Sequence, residues 1–424
     1  MPDFGSLMST PGGHCLRYFA DVPVVFHCHH FNLWWDQTVD DILGESLGSR
    51  VRTHAAREAF HHLLTEAGSL LGITDPLERK DLAQALFAWM GQGCLDLSEL
   101  AEPGTEATAR GEHLHYATSW RWKYTPQARR FFPADAVAAG YAAAAKAWIS
   151  NRSAGEIKAT EVRCLARDGV PCEFDLSLDP APETPMPLAG RAVQEHQAGP
   201  LSSGLHEARI EALTEGLKAV LASVEPDDQG LIQAFNVFVT LHLPEYYNRT
   251  GFEAIHLTEQ RAPFKAPAAE DLLREAGRVC AFNTFGSILL DAVFEGLLGA
   301  RLGNDPGEIV AYSCAIARAL GFGHWEIAEF DPGRRLRLRI PTDYESAFYL
   351  QNYGPSDKPR NYFLQGGAQA MVLLAHEIDW ASQPVLTNSM YLRLFKQPGL
   401  RWKVEQPRGL TMGHEASEIL VSRP

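Results

Sequence analysis

A helical frame that occurs twice is the strongest constraint on what this chain can fold into. Residues 26–48 read FHCHHFNLWWDQTVDDILGESLG and residues 281–303 read AFNTFGSILLDAVFEGLLGARLG. Placed without gaps at an offset of 255, Asp36 falls on Asp291, Leu43 on Leu298, Gly44 on Gly299, Leu47 on Leu302 and Gly48 on Gly303. His27, Cys28, His29 and His30 fall on Phe282, Asn283, Thr284 and Phe285, so the frame recurs without its metal- and proton-handling head. One scaffold used twice, with chemistry in the first copy, is the expectation.

The order of later elements supports a duplication. Apolar residues at helical spacing mark helices over 55–71 and 81–91, and aromatic-rich alternation marks strand between 93 and 124, notably HLHYATSWRWKY at 113–124. A helix follows over 133–149, and two strands lie in 155–178 around a turn at Asp168-Gly169. A comparable series runs through helices at 283–299 and 310–320, strands within 324–349, a helix at 364–380 and a strand pair in 400–421. A chain of 424 residues suits two such units. Residues 1–178 form the first, residues 179–265 a Pro/Gly-rich linker and helical insert, and residues 266–424 a degenerate second copy.

Composition narrows the function. The formal charge is -14, which gives no general attraction to nucleic acid or anionic membrane. The N-terminal stretch lacks a basic and an apolar signal region, and no run of 18 apolar residues occurs, so a cytosolic protein is expected. Seven irregularly spaced cysteines argue against a disulfide framework and leave thiol or metal roles open. Walker A, GxGxxG, HExxH, GxSxG and CxxC patterns are absent, which weakens nucleotide-dependent and serine-hydrolase chemistry.

Glu161-x2-Cys164-x7-Cys172 is the most specific spacing. A carboxylate and two thiolates on neighbouring strands can converge on Zn²⁺; equally, Cys is a small hydrophobe that suits a half-buried hairpin. The sequence EVRCLARDGVPCEF around these residues resembles the terminal hairpin of the 4-vinyl reductase domain, found in bacteriochlorophyll 4-vinyl reductase-type proteins and phenol-sensing regulators. The resemblance implies two tandem α+β domains, each an antiparallel sheet covered by helices, and in the first a zinc held by Glu161, Cys164 and Cys172. The further Cys of the sensors lies just before the Gly-Tyr helix; here that place is near residues 131–133, where no Cys stands. In the second copy Glu405, Arg408 and Ala416 occupy the spacing. His27 to His30 are candidate donors for the vacant position, His27 first among them as the fourth ligand; His113 and His115 are another pair.

Cys28 beside His29 and His30 offers a second chemistry, a thiolate nucleophile held by imidazole. Phe31, Trp34, Trp35, Tyr116 and Trp120 can line an apolar pocket for a small planar ligand, or be core. Asp36, Asp40 and Asp41 can orient the imidazoles. The reading is a cytosolic enzyme of small-molecule metabolism, Zn- or Cys/His-dependent, acting on a small, partly apolar substrate, with a homodimer as a candidate assembly. The rival is a non-catalytic carrier or sensor of small aromatic or hydrophobic molecules.

Overall fold

The computed structural model describes residues 3–125, 127–182, 186–396 and 402–423. Its centre is a five-stranded antiparallel sheet assembled from two hairpins and a short edge strand, Met8–Ser9. Arg17–Phe19 and Val22–Cys28 are joined by Ala20-Asp21 at φ 49° and 61°, and Ile232–Ala234 and Val237–His242 by Phe235-Asn236 at φ 53° and 59°. Positive φ at both central residues is the I′ geometry that matches strand twist, and Asp and Asn tolerate it best. The hairpins meet through Val25↔His242, Phe26↔Leu241 and His27↔Thr240. Adding 215 to the first strand's numbers carries His27 to His242 and Val25 to Thr240, so these pairs exchange under a pseudo-two-fold between the strands.

Each inner strand runs into two helices. Val22–Cys28 leads to His29–Leu43 and Glu45–Leu71; Val237–His242 leads to Pro244–Arg261 and Ala266–Cys280, the last continuing through a π-helical turn, Ala281–Phe285, to Leu289. Ala136–Ile149 packs on Glu45–Leu71, and Tyr362–Glu377 packs on Ala266–Cys280. Both crossings are glycine-tight: a Cβ at Gly140 would lie 2.6 Å from Thr53 O, and one at Gly366 2.0 Å from Arg274 O. At the two ends sit further antiparallel sheets. One has the order Ala107–Gly111, Cys172–Leu178, Ile157–Arg163; the other has Arg335–Ile340, Ser417–Ser422, Lys403–Arg408, with Glu326–Asp331 added beside Arg335–Ile340. The protein is thus α+β with antiparallel sheets. Buried apolar side chains from both halves form one continuous core.

Elements of the second half follow those of the first in a similar order, but in a register different from the sequence alignment. Residues 26–48 are matched by 241–263; residues 281–303 are instead the end of a long helix and the short helix Ala292–Leu298. An amphipathic helix stopped by glycine is a generic pattern, and Gly44 and Gly299, at φ 81° and 65°, satisfy it in unrelated places. Asp291 caps its helix by accepting from Val293 N–H, whereas Asp36 is buried on Arg52. Residues 232–265 open the second unit rather than forming an insert, and the central sheet fuses the halves. The strand expected over 113–124 is the helix His115–Tyr124, which turns His115, Tyr116, Ala117 and Ser119 inward. Among the described residues no single helix is long and apolar enough to cross a membrane; one pair, Pro263–Leu289 and Ala292–Leu298, reaches that length and composition together but is bent by 67°.

Candidate metal centre and buried thiols

Glu161 ends one strand of the first unit's terminal sheet, and Cys164 and Cys172 flank the short helix Leu165–Asp168 that turns the chain into the next strand. One ligand atom from each lies within 4.8 Å of the other two. The group rests against the start of the Ala136–Ile149 helix, whose Asp135 joins it: Cys172 Sγ donates to Asp135 Oδ2 at 3.6 Å, and Asp135 N–H donates to Glu161 Oε2 at 2.9 Å. Backbone N–H groups face both sulfurs, from Ala134 to Cys164 at 3.3 Å and from Leu165 to Cys172 at 3.3 Å. Glu161 Oε1 is buried without a partner.

These four acids shift one another. Burial and the neighbouring Cys164 charge push Asp135 up to about 8, and burial drives Glu161 well above the carboxylate range. The Cys172 S–H hydrogen-bonded to Cys164 pulls that thiol down to about 6, while Cys172, as the donor, is raised. Among the described residues no Lys, Arg or His forms an ion pair with Glu161 or Asp135, so the group has no cationic partner of its own. Two soft thiols and one carboxylate within 4.8 Å of one another suit a Zn²⁺-class ion in chemistry, with Asp135 hydrogen-bonded beside them.

The second unit supplies the comparison. Arg163↔Glu173 and Arg408↔Glu418 are matching strand pairs, which places Gln406, Gly409 and Ser417 where Glu161, Cys164 and Cys172 stand. That is one residue along from the expected Glu405, Arg408 and Ala416. Asn361 takes the place of Asp135, as Gly366 takes that of Gly140. Gln406 Nε2 donates to Asn361 Oδ1 at 3.0 Å, and Leu410 N–H donates to Ser417 Oγ at 3.2 Å as Leu165 N–H does to Cys172. A Cβ at Gly409 would sit 3.0 Å from Gln406 Nε2. Acids in one copy are neutral hydrogen-bonding groups in the other.

His27 does not complete this centre. It is wholly buried on the central strand, stacked on Phe31 at 4.0 Å and Phe322 at 4.8 Å, with Nδ1 3.4 Å from Cys280 Sγ. Cys28 is turned toward the same place, since Thr284 Oγ1 donates to its sulfur at 2.9 Å and Cys280 hydrogen-bonds to it. Burial opposes ionisation of Cys28; the hydrogen bonds from Cys280 and Thr284 and the helix-start N–H groups of Phe31 and His30 outweigh it and bring the thiol to about 7. His29 and His30 stand apart from that sulfur. Their rings stack at 3.9 Å, and His29 Nδ1 accepts from Phe238 N–H at 3.2 Å. The imidazole near the thiols is therefore His27, reached through Cys280.

The expected aromatic lining is dispersed. Phe31, Trp35 and Tyr116 are packed in the core; Trp35 Nε1 donates to Thr250 Oγ1 at 2.8 Å and Tyr116 OH meets His242 Nε2 at 3.3 Å. Trp120 Nε1 donates to Ala128 O at 2.8 Å, and Trp34 lies 6.4 Å from Tyr391. His115 Nε2 is hydrogen-bonded to Asn32 at 3.0 Å, and His113 is a half-buried loop residue. Asp36 and Asp40 orient no imidazole: each is 2.8 Å from the Arg52 guanidinium. Asp41 instead accepts from Gln37 at 2.9 Å. Sequence reasoning missed Asp135, Cys280 and Thr284. Asp135 carried a local signal, an acidic residue at the start of the Gly140-Tyr141 helix; the other two carried none, being brought in by the long helix of the second unit.

No protein-family model matches the chain, and no curated protein matches it.

Proposed function

We propose that the chain is a tandem 4-vinyl-reductase-like protein that binds a small molecule, with its first unit clamped by a Zn²⁺-class cation on Asp135, Glu161, Cys164 and Cys172. One observation supports this reading: Asp135, two residues beyond the 131–133 stretch where the resemblance puts a fourth ligand, is hydrogen-bonded to the Glu-Cys-Cys group through Cys172 and Glu161. Four protein ligands describe a structural ion, and a catalytic one keeps an open position. The cation would tie the start of the Ala136–Ile149 helix to the terminal hairpin, and its charge would allow both carboxylates and thiolates to remain ionised together. In this reading the protein works in the cytosol.

Purified protein prepared without chelator should hold about one zinc per chain, and Cys164→Ser should lose it together with thermal stability. Metal-free wild-type protein of unchanged stability would refute the clamp.

A second reading, an enzyme using Cys28, is favoured by the lowered thiol and its contact with Thr284. It predicts that iodoacetamide inactivates turnover of a small acyl or amidine substrate through Cys28 alone, and that Cys28→Ala abolishes it. Alkylation of Cys28 only after unfolding would exclude this reading.

A further inference from the structure

Beside the metal group a cleft of about 440 Å³ opens between the Glu45–Leu71 helix, the start of Ala136–Ile149 and the outer strand Ile157–Arg163. Volumes of this order suit a small metabolite. Residues 46, 49, 50, 53, 54 and 57 line one wall, the i, i+3, i+4, i+7 spacing of a single helix face. Its charged lining is three cations, Arg50, Arg57 and Lys158, against two carboxylates, Glu161 and Asp179, although the chain is acidic overall at -14. Arg50 and Lys158 stand exposed at the mouth and Arg57 lies inside.

Arg57 is the decisive group. Its side chain is only 1% exposed, yet it lines the cleft. Nη1 donates to Ile157 O at 2.9 Å and to Asp179 Oδ2 at 3.3 Å, while Nε and Nη2 have no partner. A buried guanidinium with unused donors is expensive unless something accepts from it. Asp179 engages only one nitrogen of the fork, and Glu161, the other carboxylate in the wall, is turned to the metal group. Thr53 and Thr160 add hydroxyls, and Ala136, Ala139 and Ala159 give a short apolar surface.

We infer that this cleft binds a small-molecule oxyanion, a carboxylate or phosphate, on Arg57 with Arg50 and Lys158 at its mouth. Guanidinium is suited to both groups, since parallel N–H donors match two oxygens of either. The inference names the ligand class for the small-molecule-binding reading and rests on it for purpose; its geometry comes from Arg57. A carboxylate or phosphate-bearing molecule would lie with its charge on Arg57 and its body over the alanines. Adjacency to Glu161 places that ligand against the metal-clamped hairpin.

The test uses full-length protein with its metal content measured on every sample. Inorganic phosphate and benzoate are titrated separately by calorimetry at constant ionic strength, with chloride as control. One of the two should saturate at a single site in the millimolar range or tighter, and which one does so assigns the class. Arg57→Gln should weaken it at least about tenfold, as loss of a charge-assisted pair does. Because Arg57 also holds Ile157 O, Arg50→Gln with Lys158→Gln provides a second variant at exposed positions; it should weaken the same anion and steepen nothing in the thermal unfolding. Absence of saturable binding by both anions, or unchanged affinity in both variants, overturns the inference. Full metal with no anion bound refutes the cleft alone; anion bound by metal-free protein of wild-type stability refutes the clamp alone.

Discussion

Asp135 and Asn361 hold equivalent places before equivalent helices, and one atom separates them: a carboxylate oxygen against an amide nitrogen. Around Asn361 the neighbours are the Gln406 amide, the Ser346 hydroxyl and the Asp343 carboxylate, and the Asn361 amide hydrogen-bonds to all three. Around Asp135 they are the acidic side chains of Glu161 and Cys172, for which we propose a cation. Asp135→Asn should therefore lower zinc affinity by at least about tenfold while leaving the fold, measured by competition with a chromogenic chelator. Equal retention in the variant would remove Asp135 from the ligand set. A different charge cluster tests stability. Arg52, 1% exposed, bridges Asp36 and Asp40, while Tyr246 of the second unit donates to Asp36 at 2.5 Å. Arg52→Met leaves the buried Asp36 without a cation and Asp40 with only Arg130 at 3.4 Å, and should destabilise by about 3–5 kcal/mol in urea unfolding. Asp36→Asn with Asp40→Asn in that background should recover much of the loss, since the uncompensated charges go with it.

At the scale of the element, the helix Pro244–Arg261 begins with a buried acid. Burial pushes Glu245 up to about 8 from an ordinary 4.5, partly offset by its own N–H and that of Ala189. A carboxyl whose folded pKa is raised adds stability that is complete below about 4.5 and disappears as pH rises through about 8. Glu245→Gln, neutral at every pH, should leave melting nearly unchanged at pH 4.5 and become progressively more stable than wild type toward pH 8, by a few kcal/mol in order of magnitude. Parallel melting curves for the two proteins across that range would show that Glu245 does not carry the burden. Such a residue was invisible in the sequence, because an acid in a helix's first turn normally reads as a dipole contact in water. Helices such as Ala136–Ile149 and the terminal hairpins were legible from periodicity and turn residues, and Glu161, Cys164 and Cys172 from spacing, whereas the helices His115–Tyr124 and Pro244–Arg261 were not. The register of the repeat was not. Its true markers are paired turns, Ala20-Asp21 with Phe235-Asn236, and glycines at crossings, Gly140 with Gly366, whose neighbours differ too much to align by side chain. His27 failed as a ligand for a related reason: a strand carries it to the central sheet, away from the terminal sheet that holds the thiols.

The whole molecule depends on the junction between Val22–Cys28 and Val237–His242. In the first half alone, Val22–Cys28 would lose its partner strand and become an edge carrying Val24, Val25, Phe26 and Cys28, all buried in the intact protein. Long apolar edges of this kind pair with other chains. The second half would expose Leu241 and Val239 likewise, and Thr284 and Cys280 would lose Cys28 and His27. Neither half is then expected to behave as an independent domain, even though each has its own helix layer and terminal sheet. Fragments 1–200 and 201–424 expressed separately should aggregate or elute as large oligomers, whereas co-expression should return a stable one-to-one complex by size-exclusion chromatography with light scattering. The zinc count adds a second readout, because the metal ligands all lie in fragment 1–200 and the cation can bind there whether or not the central sheet is complete. If fragment 1–200 is a soluble monomer with cooperative unfolding, the shared sheet is a docking surface between two finished domains and the fused core is dispensable for folding.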